Sequence, residues 1–308
     1  MGRKKTGQPI HGWIAVDKPA GITSAGVVAR VKRALDAAKV GHGGTLDPLA
    51  TGLLPIALGE ATKTVSFAMD GSKTYEFEIA WGAETSTDDC EGEVTRTAPG
   101  RPTAAAIAEA LPVFTGSIMQ VPPVYSAVKV AGERAYARAR RDEVVTLEPR
   151  PVSVTRFALA GLPDGDHACF EVDCGKGTYI RALVRDLART LGTAGHISRL
   201  RRTRCGPFIA KTAIPLAMLE ALGHKAAHSE HLRPVATVLD DIPALAVTDE
   251  EARRVGLGQA ISLWPMAKRS PLTGLTPGTT VQVICREKLI AVAEVGDGMV
   301  RPVRVLNH

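Results

Sequence analysis

A single carboxylate in a glycine-rich loop is the first feature of this sequence that could carry out chemistry. The loop reads GHGGTLDPLATG over residues 41–52, and Asp47 is the only acid between Asp36 and Glu60. Glycines let a backbone approach a ligand closely and the following proline stiffens the chain, so this carboxylate could serve as a nucleophile or a general base. Because Asp-Pro also opens ordinary turns, the loop by itself leaves both interpretations open.

An arginine at the start of a predicted helix is the second such feature. Arg181 follows Gly175-Lys176-Gly177 and falls in the first turn of a helix predicted over 179–191. Helix dipoles favour cations at the opposite end, so this placement is unusual for a surface arginine. A guanidinium can orient a carboxylate and keep it ionised in a dry pocket.

The elements that must position these groups are predicted from periodicity. Residues 75–81 alternate between apolar and polar and predict a half-buried strand, whose first residue, Tyr75, is by pattern alone a core residue. Thr23 or Ser24 can cap a helix with Val27 and Leu35 on its apolar face. Other strands are predicted at 13–16, 53–58, 152–160, 168–174 and 196–205, and helices at 60–69, 103–112 and 135–141.

The last third of the chain changes in character. The tract 223–233 contains His224, His228 and His231, and is interpreted as an exposed linker, with a zinc site as the alternative. Beyond it, a capping box opens a helix at Thr248, and short strands are predicted near 260–263, 279–285, 289–295 and 299–305. The resulting prediction is an α+β domain with a mixed sheet over residues 1–235 and a small β-rich domain over 244–308.

The charge distribution is compatible with a polyanionic partner. The chain of 308 residues has a net charge of +6 and a pI of about 9.1. Basic residues cluster at Arg3, Lys4 and Lys5, at Arg134, Arg138, Arg140 and Arg141, and at Arg199, Arg201, Arg202 and Arg204. Any one cluster could be a solvated face, but three of them around a candidate site favour nucleic acid.

Cysteine usage and hydropathy indicate a cytoplasmic protein. There are five cysteines and no Cys-x-x-Cys, which disfavours a disulfide framework or a zinc knuckle. The N-terminus is basic without an apolar core, and no apolar run approaches the roughly 20 residues of a membrane span. The acidic stretch STDDCEG, 86–92, predicts a hairpin turn, with a metal loop as a weaker alternative.

Five segments in order resemble the TruB family of pseudouridine synthases. They are VDKPAGITS at 16–24, GHGGTLDPLATG at 41–52, KTYEFEI at 73–79, VPPVYSAVKVAGERAY at 121–136 and GKGTYIRALVRDLA at 175–188. The family usually has Thr or Ala where this chain has Gly43. The resemblance implies a pseudouridine synthase catalytic domain with a mixed, mainly antiparallel sheet, followed by a small PUA-like β-barrel that binds RNA.

The resemblance also implies an activity and its residues. The activity would be isomerisation of the T-loop uridine, position 55, of transfer RNA, with the base flipped out of the stack. Asp47 would be the catalytic carboxylate and Arg181 its partner, while Tyr75 would stack on the base or accept a proton. Tyr179, His42 and Leu200 would contact the extruded nucleotide. An isomerisation needs no redox partner or phosphoryl donor, so no cofactor and no metal are expected.

Three alternatives stay open at this point. The first is a tRNA-folding chaperone on the same fold, without catalysis. The second is a glycosidase, which would need a second carboxylate in the site, and none lies in the matching motifs. The third is a guide-RNA-dependent synthase that works with partner proteins. The motif set favours a monomeric enzyme that binds the T-stem-loop of transfer RNA without an obligatory protein partner.

Overall fold

The structure is a computed structural model that describes residues 7–130, 132–141, 143–270 and 273–307. The basic cluster of Arg3, Lys4 and Lys5 lies outside the described residues, as do the side chains of Arg134 and His228.

The described helices and strands follow one another as a mixture of both types. The strands are Gly12–Lys18 (β1), Val40–His42 (β2), Thr51–Leu58 (β3), Lys73–Trp81 (β4), Ala83–Thr85 (β5), Val94–Thr97 (β6), Gly116–Gln120 (β7), Lys129–Val130 (β8), Glu133–Arg134 (β9), Arg150–Gly161 (β10), His167–Cys174 (β11), Gly195–Cys205 (β12), Phe208–Ile209 (β13), Ile214–Pro215 (β14), Leu232–Arg233 (β15), Ala244–Ala246 (β16), Ile261–Ser262 (β17), Thr280–Cys285 (β18), Lys288–Gly296 (β19) and Met299–Val305 (β20). The α-helices are Ser24–Leu35 (α1), Val65–Asp70 (α2), Ala104–Ala110 (α3), Ala135–Ala139 (α4), Ile180–Thr190 (α5), Leu216–Leu222 (α6) and Asp249–Gly256 (α7), and the 3-10 helices are Gly59–Lys63, Leu111–Phe114, Ala210–Thr212, Gly223–His228, Val235–Leu239 and Trp264–Lys268.

A large mixed sheet forms the centre of the molecule. Its main path is β14-β1-β3-β12-β4-β11-β10-β7, with β2, β13 and β15 paired beside it. The pairs β1–β14 and β3–β12 are parallel and the others are antiparallel. The prediction of an α+β fold with a mixed, mainly antiparallel sheet is therefore confirmed.

Local sequence explains the helix that packs beside the candidate loop. Thr23 caps α1, because its side chain accepts a hydrogen bond from Gly26 N. Val27, Val31 and Leu35 lie on one face and are fully buried. The helix thereby fixes its first residue, Ser24, at the edge of the core.

A second sheet follows the first. Its order is β16-β18-β19-β20-β17, and in the described part of the chain no pairing joins β16 to β17, so the five strands form an open sheet. A closed PUA-like barrel is therefore not observed. Leu289, Val292 and Leu306 from this region share a buried cluster with Trp13 and Leu53 of the large sheet.

One local prediction was wrong, and a second was correct only in part. The tract 223–233 is not an exposed linker, because Ala226 and Ala227 are buried in the main core and Leu232 pairs with Ile14 of β1. The predicted helix 60–69 is divided at Thr64, whose backbone nitrogen and hydroxyl both donate to Ala61 O and close a 3-10 turn.

Among the described residues, no helix has the length and apolar character needed to cross a membrane.

Candidate active site

The loop that carries Asp47 is clamped by the start of α1. Ser24 Oγ accepts a hydrogen bond from Leu46 N at 2.8 Å and donates to Leu46 O at 3.0 Å. On the other side of the acid, Gly21 N donates to Pro48 O at 2.9 Å. The Asp47 side chain is 34% exposed, so a carboxylate on a fixed backbone faces a partly open site.

Lys18 also holds the loop that carries Asp47. Its ammonium is fully buried and donates to the carbonyl oxygens of Pro19, Ile22 and Pro48, at 3.0, 2.7 and 3.0 Å. Burial lowers the pKa of Lys18 to about 8, while the Asp47 carboxylate opposes that shift. All three contacts join backbone segments, which is a structural role.

Arg181 meets Asp47 directly. Its Nε donates to Asp47 Oδ2 at 2.9 Å, and its two terminal nitrogens donate to Thr87 O at 2.8 Å and to Tyr125 O at 2.9 Å. Only 4% of Arg181 is exposed. The guanidinium is thus held in one orientation, and it holds the carboxylate in turn.

The start of α5 is fixed by a glutamine rather than by a capping side chain. Gln120 of β7 accepts from Tyr179 N at 2.8 Å and donates to Tyr179 O at 3.1 Å. Tyr179 is the N-cap residue of α5 and makes no side-chain cap bond. This double contact places Tyr179 and Arg181 relative to the large sheet.

A second acid, Asp89, lies beside the ion pair. It is 3% exposed, and its Oδ2 is 3.7 Å from Arg181 Nε. It belongs to the turn between β5 and β6, which the stretch 86–92 correctly predicts as a hairpin. Its neighbour Asp88 contacts Arg185 at 3.1 Å. Sequence spacing offers no signal for the proximity of Asp89, because the hairpin and α5 are almost 90 residues apart.

Arg202 is the other buried guanidinium near the loop. It is 1% exposed and donates to Leu53 O at 2.8 Å and to Gly44 O at 3.0 Å. Its guanidinium carbon is 6.0 Å from the centroid of the Tyr75 ring. Arg202 is therefore a structural residue. The prediction that the whole basic cluster on β12 could contact a polyanion was wrong for Arg202, because this side chain is buried.

The remaining predicted site residues lie on β2, β4 and β12 and at the start of α5. Tyr75 is nine-tenths buried on β4, and burial raises its pKa. His42 ends β2, and burial lowers its pKa, which favours the neutral ring. Tyr179 is half-buried, and Leu200 on β12 is 7% exposed within the main core. The structure thus brings Asp47 and Arg181 into contact, places Tyr179 at the start of α5, two residues before Arg181, and places Leu200 in the main core.

Packing explains why this chain has Gly43 where the family usually has Thr or Ala. A Cβ atom added at Gly43 would lie 2.8 Å from Ala68 Cβ of α2 and 3.3 Å from the Trp13 ring. A side chain here would therefore displace α2. In this chain α2 packs directly on the loop.

The described part of the chain contains no group of three or more His, Cys, Asp or Glu side chains that could hold a metal ion. What the site offers is an oriented carboxylate that is partly open to solvent. Such a group can attack a carbon as a nucleophile or remove a proton as a base.

Comparisons with known proteins agree on one family. Residues 32–180 match the N-terminal domain of the TruB family pseudouridylate synthases, and residues 181–241 match the tRNA pseudouridylate synthase B C-terminal domain. The tRNA pseudouridine synthase B of Rhodospirillum rubrum is 54% identical over 100% of both chains, and that of Caulobacter vibrioides is 52% identical over 100% of this chain and 99% of its own.

Solved structures extend the likeness to the fold. A chain from a Cbf5-Nop10-Gar1 complex has a TM-score of 0.72 and 28% identity, covering 93% of this chain and 78% of that one. With relatives more than half identical from end to end, this chain belongs to the TruB family of pseudouridine synthases.

Proposed function

We propose that this protein isomerises a uridine of transfer RNA to pseudouridine, and that the target is uridine 55 of the T-loop. The observation that carries the proposal is the 2.9 Å contact between Asp47 and Arg181, at a carboxylate that is still partly exposed, in a chain of this family. Asp47 acts on the sugar or base, and Arg181 keeps it oriented. No external cofactor enters this chemistry.

The other site residues hold the extruded nucleotide. Stacking of a flipped base on an aromatic ring contributes about 1–3 kcal/mol, and Tyr75 and Tyr179 would supply it. His42 and Leu200 complete the proposed pocket. Asp89 lies beside Arg181, with its Oδ2 3.7 Å from the same Nε that contacts Asp47.

The presence of two sheets supports the assignment of catalysis and RNA binding to separate domains. The proposed catalytic domain is 1–235, and the proposed RNA-binding domain is 244–308, since the large sheet ends with β15 and the second begins with β16. The second domain, PUA-like in this proposal, would bind RNA through phosphates and shape. The protein would act in the cytoplasm as a monomer without an obligatory protein partner.

The test of this function is release of tritium from transfer RNA labelled at uridine C5, because C5 loses its hydrogen when it joins the sugar. A matched transcript has cytidine in place of uridine 55 and label in its other uridines. The proposal predicts release from the first transcript and none from the second. Release from both would contradict position 55, and release from neither would contradict the activity.

A further inference from the structure

One of the three tryptophans of this chain lies on the surface. Trp264 is 73% exposed, whereas Trp13 and Trp81 are 0% and 5% exposed. Burial of an indole ring stabilises a fold through its large apolar area, and this ring forgoes that gain. Exposed tryptophans are typical of binding surfaces, where the flat ring contacts a partner.

The 3-10 turn that carries Trp264 is fixed on both sides. Before it, Leu263 N donates to Gly298 O at 2.8 Å. After it, Ser270 Oγ accepts from Ala246 N of β16 at 2.8 Å. A Cβ atom added at Gly298 would lie 3.3 Å from Trp264 Nε1, so one edge of the ring lies beside the β19–β20 turn. The ring is therefore exposed on a fixed backbone.

Trp264 lies at the end of the second sheet that points away from the contact with the large sheet. Gly298, beside the ring, directly precedes β20, and Leu306, which shares a buried cluster with Trp13, directly follows it. The 7 residues of β20 extend over about 23 Å, at about 3.3 Å per residue. This end of the second sheet therefore offers a contact separate from the sheet interface.

Cations that have no carboxylate partner flank the turn. Arg254 donates to Ala260 O at 3.4 Å, four residues before Trp264, and Lys268 is the last residue of the same 3-10 turn. Both are exposed, and neither forms an ion pair within the described residues, whereas Arg269 is paired with Glu251. A flat ring with cations near it is the combination that binds unpaired nucleotides, with the base on the ring and the phosphates on the cations.

A protein partner fits this surface less well. Stable protein interfaces bury about 800 Å² on each side around an apolar centre. In the described part of residues 244–308, the exposed large apolar side chains are Leu257, Trp264 and Val303. They come from α7, the 3-10 turn and β20, so most of the exposed apolar area of this region belongs to one ring. The observations therefore favour a single flat ligand, such as a nucleobase.

We propose that Trp264 stacks on an unpaired base of transfer RNA outside the T-stem-loop, while Arg254 and Lys268 contact neighbouring phosphates. The identity of the RNA rests on the proposed function. Every base has a flat face, so this contact adds affinity without reading sequence. It gives the second sheet a defined binding residue at the end that is remote from the large sheet.

Two substitutions on two substrates test the stacking. Trp264→Leu keeps apolar bulk but loses the aromatic face, and should raise KM for full-length transfer RNA about tenfold, within the loss expected for one stacked base. Its KM for the isolated T-stem-loop should change less than about twofold, because that RNA lacks the stacked base. Trp264→Phe keeps an aromatic face and should stay within about threefold of the wild type on full-length RNA. Leu257→Ala, at a position that is also 73% exposed, is the control and should change KM less than about twofold.

Equal losses from Trp264→Leu on both RNAs, no loss on full-length RNA, or equal losses from the Leu and Phe variants would each overturn the stacking role. Acrylamide quenching tests the contact without turnover, because the other two tryptophans are buried. Bound transfer RNA should protect the Trp264 emission, and absence of protection would overturn the contact. Protection that appears at high protein concentration without RNA would assign the ring to a second copy instead. If the wild type has no turnover, the proposed function fails, while quenching still decides whether the ring binds transfer RNA.

Discussion

At the scale of single residues, the guanidinium of Arg181 is occupied by acceptors from three separate segments. Asp47 comes from the loop before β3, Thr87 and Asp89 from the β5–β6 hairpin, and Tyr125 from the segment before β8. A buried arginine with this many fixed acceptors has one stable orientation. Because Arg181 donates to Asp47, the orientation of the Asp47 carboxylate is fixed as well. A carboxylate must be held in one orientation to act on one atom of a substrate.

Asp89 should matter for rate through Arg181. In Asp89→Asn the charge beside Arg181 is lost while the shape is kept, and kcat is expected to fall about tenfold, equivalent to 1.4 kcal/mol of lost positioning. Affinity for transfer RNA should change little, because phosphate contacts dominate it. Single-turnover kinetics and filter binding measure the two quantities.

Asp88→Asn is the control for that experiment. Asp88 lies next in the chain but contacts Arg185 rather than Arg181. Its positive φ of 61° is one that asparagine tolerates. A loss below about threefold is expected, and equal losses at both positions would contradict the role assigned to Asp89.

The residues predictable from sequence were those with local signals. Asp47 stands alone in a glycine-rich loop and Arg181 stands at an unfavourable end of a helix, but both patterns also fit ordinary residues, and the motif resemblance is what selects them. Asp89 has no such signal, because its proximity to Arg181 depends on a contact between distant segments of the chain. Its proposed role follows only from the tertiary structure.

At the scale of elements, Glu84 ties the end of α5 to the β5–β6 hairpin. Its oxygens accept from Arg189 Nε and Nη2, both at 3.0 Å, and from Arg96 at 2.6 Å. The hydrogen bonds from Arg189 lower the pKa of Glu84 to about 2, with burial opposing and Arg96 adding to the effect. The hairpin that carries Asp89 is therefore anchored at its base.

This anchor should make stability depend on pH. Because the folded-state pKa is below the ordinary value of 4.5, the stabilisation is present above pH 4.5 and is lost as the pH falls towards 2. Glu84→Gln should lower the free energy of unfolding by about 2 kcal/mol at pH 7, and the deficit should shrink between pH 4.5 and 2. Urea unfolding at several pH values measures it, with the exposed Glu294→Gln as control. A deficit that does not depend on pH would contradict the account.

The contact between α2 and the loop predicts a compensating pair. Gly43→Ala should destabilise the protein by about 1–3 kcal/mol, because the new Cβ meets Ala68 Cβ at 2.8 Å. Ala68→Gly removes that atom, so the double variant should lose less than the sum of the single losses. Thermal or urea unfolding of the four proteins measures the coupling. Strict additivity would show that α2 does not restrict the loop.

The elements predictable from sequence were those with a strong period or a cap. The alternation of 75–81 predicts β4, and Thr23 with Val27 and Leu35 predicts α1. The prediction of an exposed linker at 223–233 was wrong. The tract is rich in charged and histidine residues, but two small residues within it, Ala226 and Ala227, fit into the core. Small size allows burial without any periodic signal.

At the scale of the whole molecule, the second sheet packs against the back of the large one. Trp13 lies in the shared cluster with Leu289, Val292 and Leu306, and the same ring lies next to Gly43 in the loop before Asp47. Lys63 also donates to Val305 O at 2.8 Å. The second sheet thus supports the element that carries the carboxylate.

Two neighbouring substitutions test this interface. Leu306→Ala removes a side chain that is 5% exposed and should cost about 2–5 kcal/mol, whereas Val303→Ala removes one that is 49% exposed and should cost about 0.5 kcal/mol or less. Urea unfolding of the full chain measures both. Equal small losses would show that the two sheets do not depend on each other.

The most direct test of the central claim is Asp47→Asn, compared with the wild type for tritium release from C5-labelled transfer RNA and for RNA binding. The substitution keeps the shape of the side chain and removes the charge that Arg181 orients. The account predicts release by the wild type, none by the variant, and binding by both within about threefold, since affinity comes mostly from phosphates. Substantial release by Asp47→Asn would contradict the assignment of Asp47 as the carboxylate of the reaction.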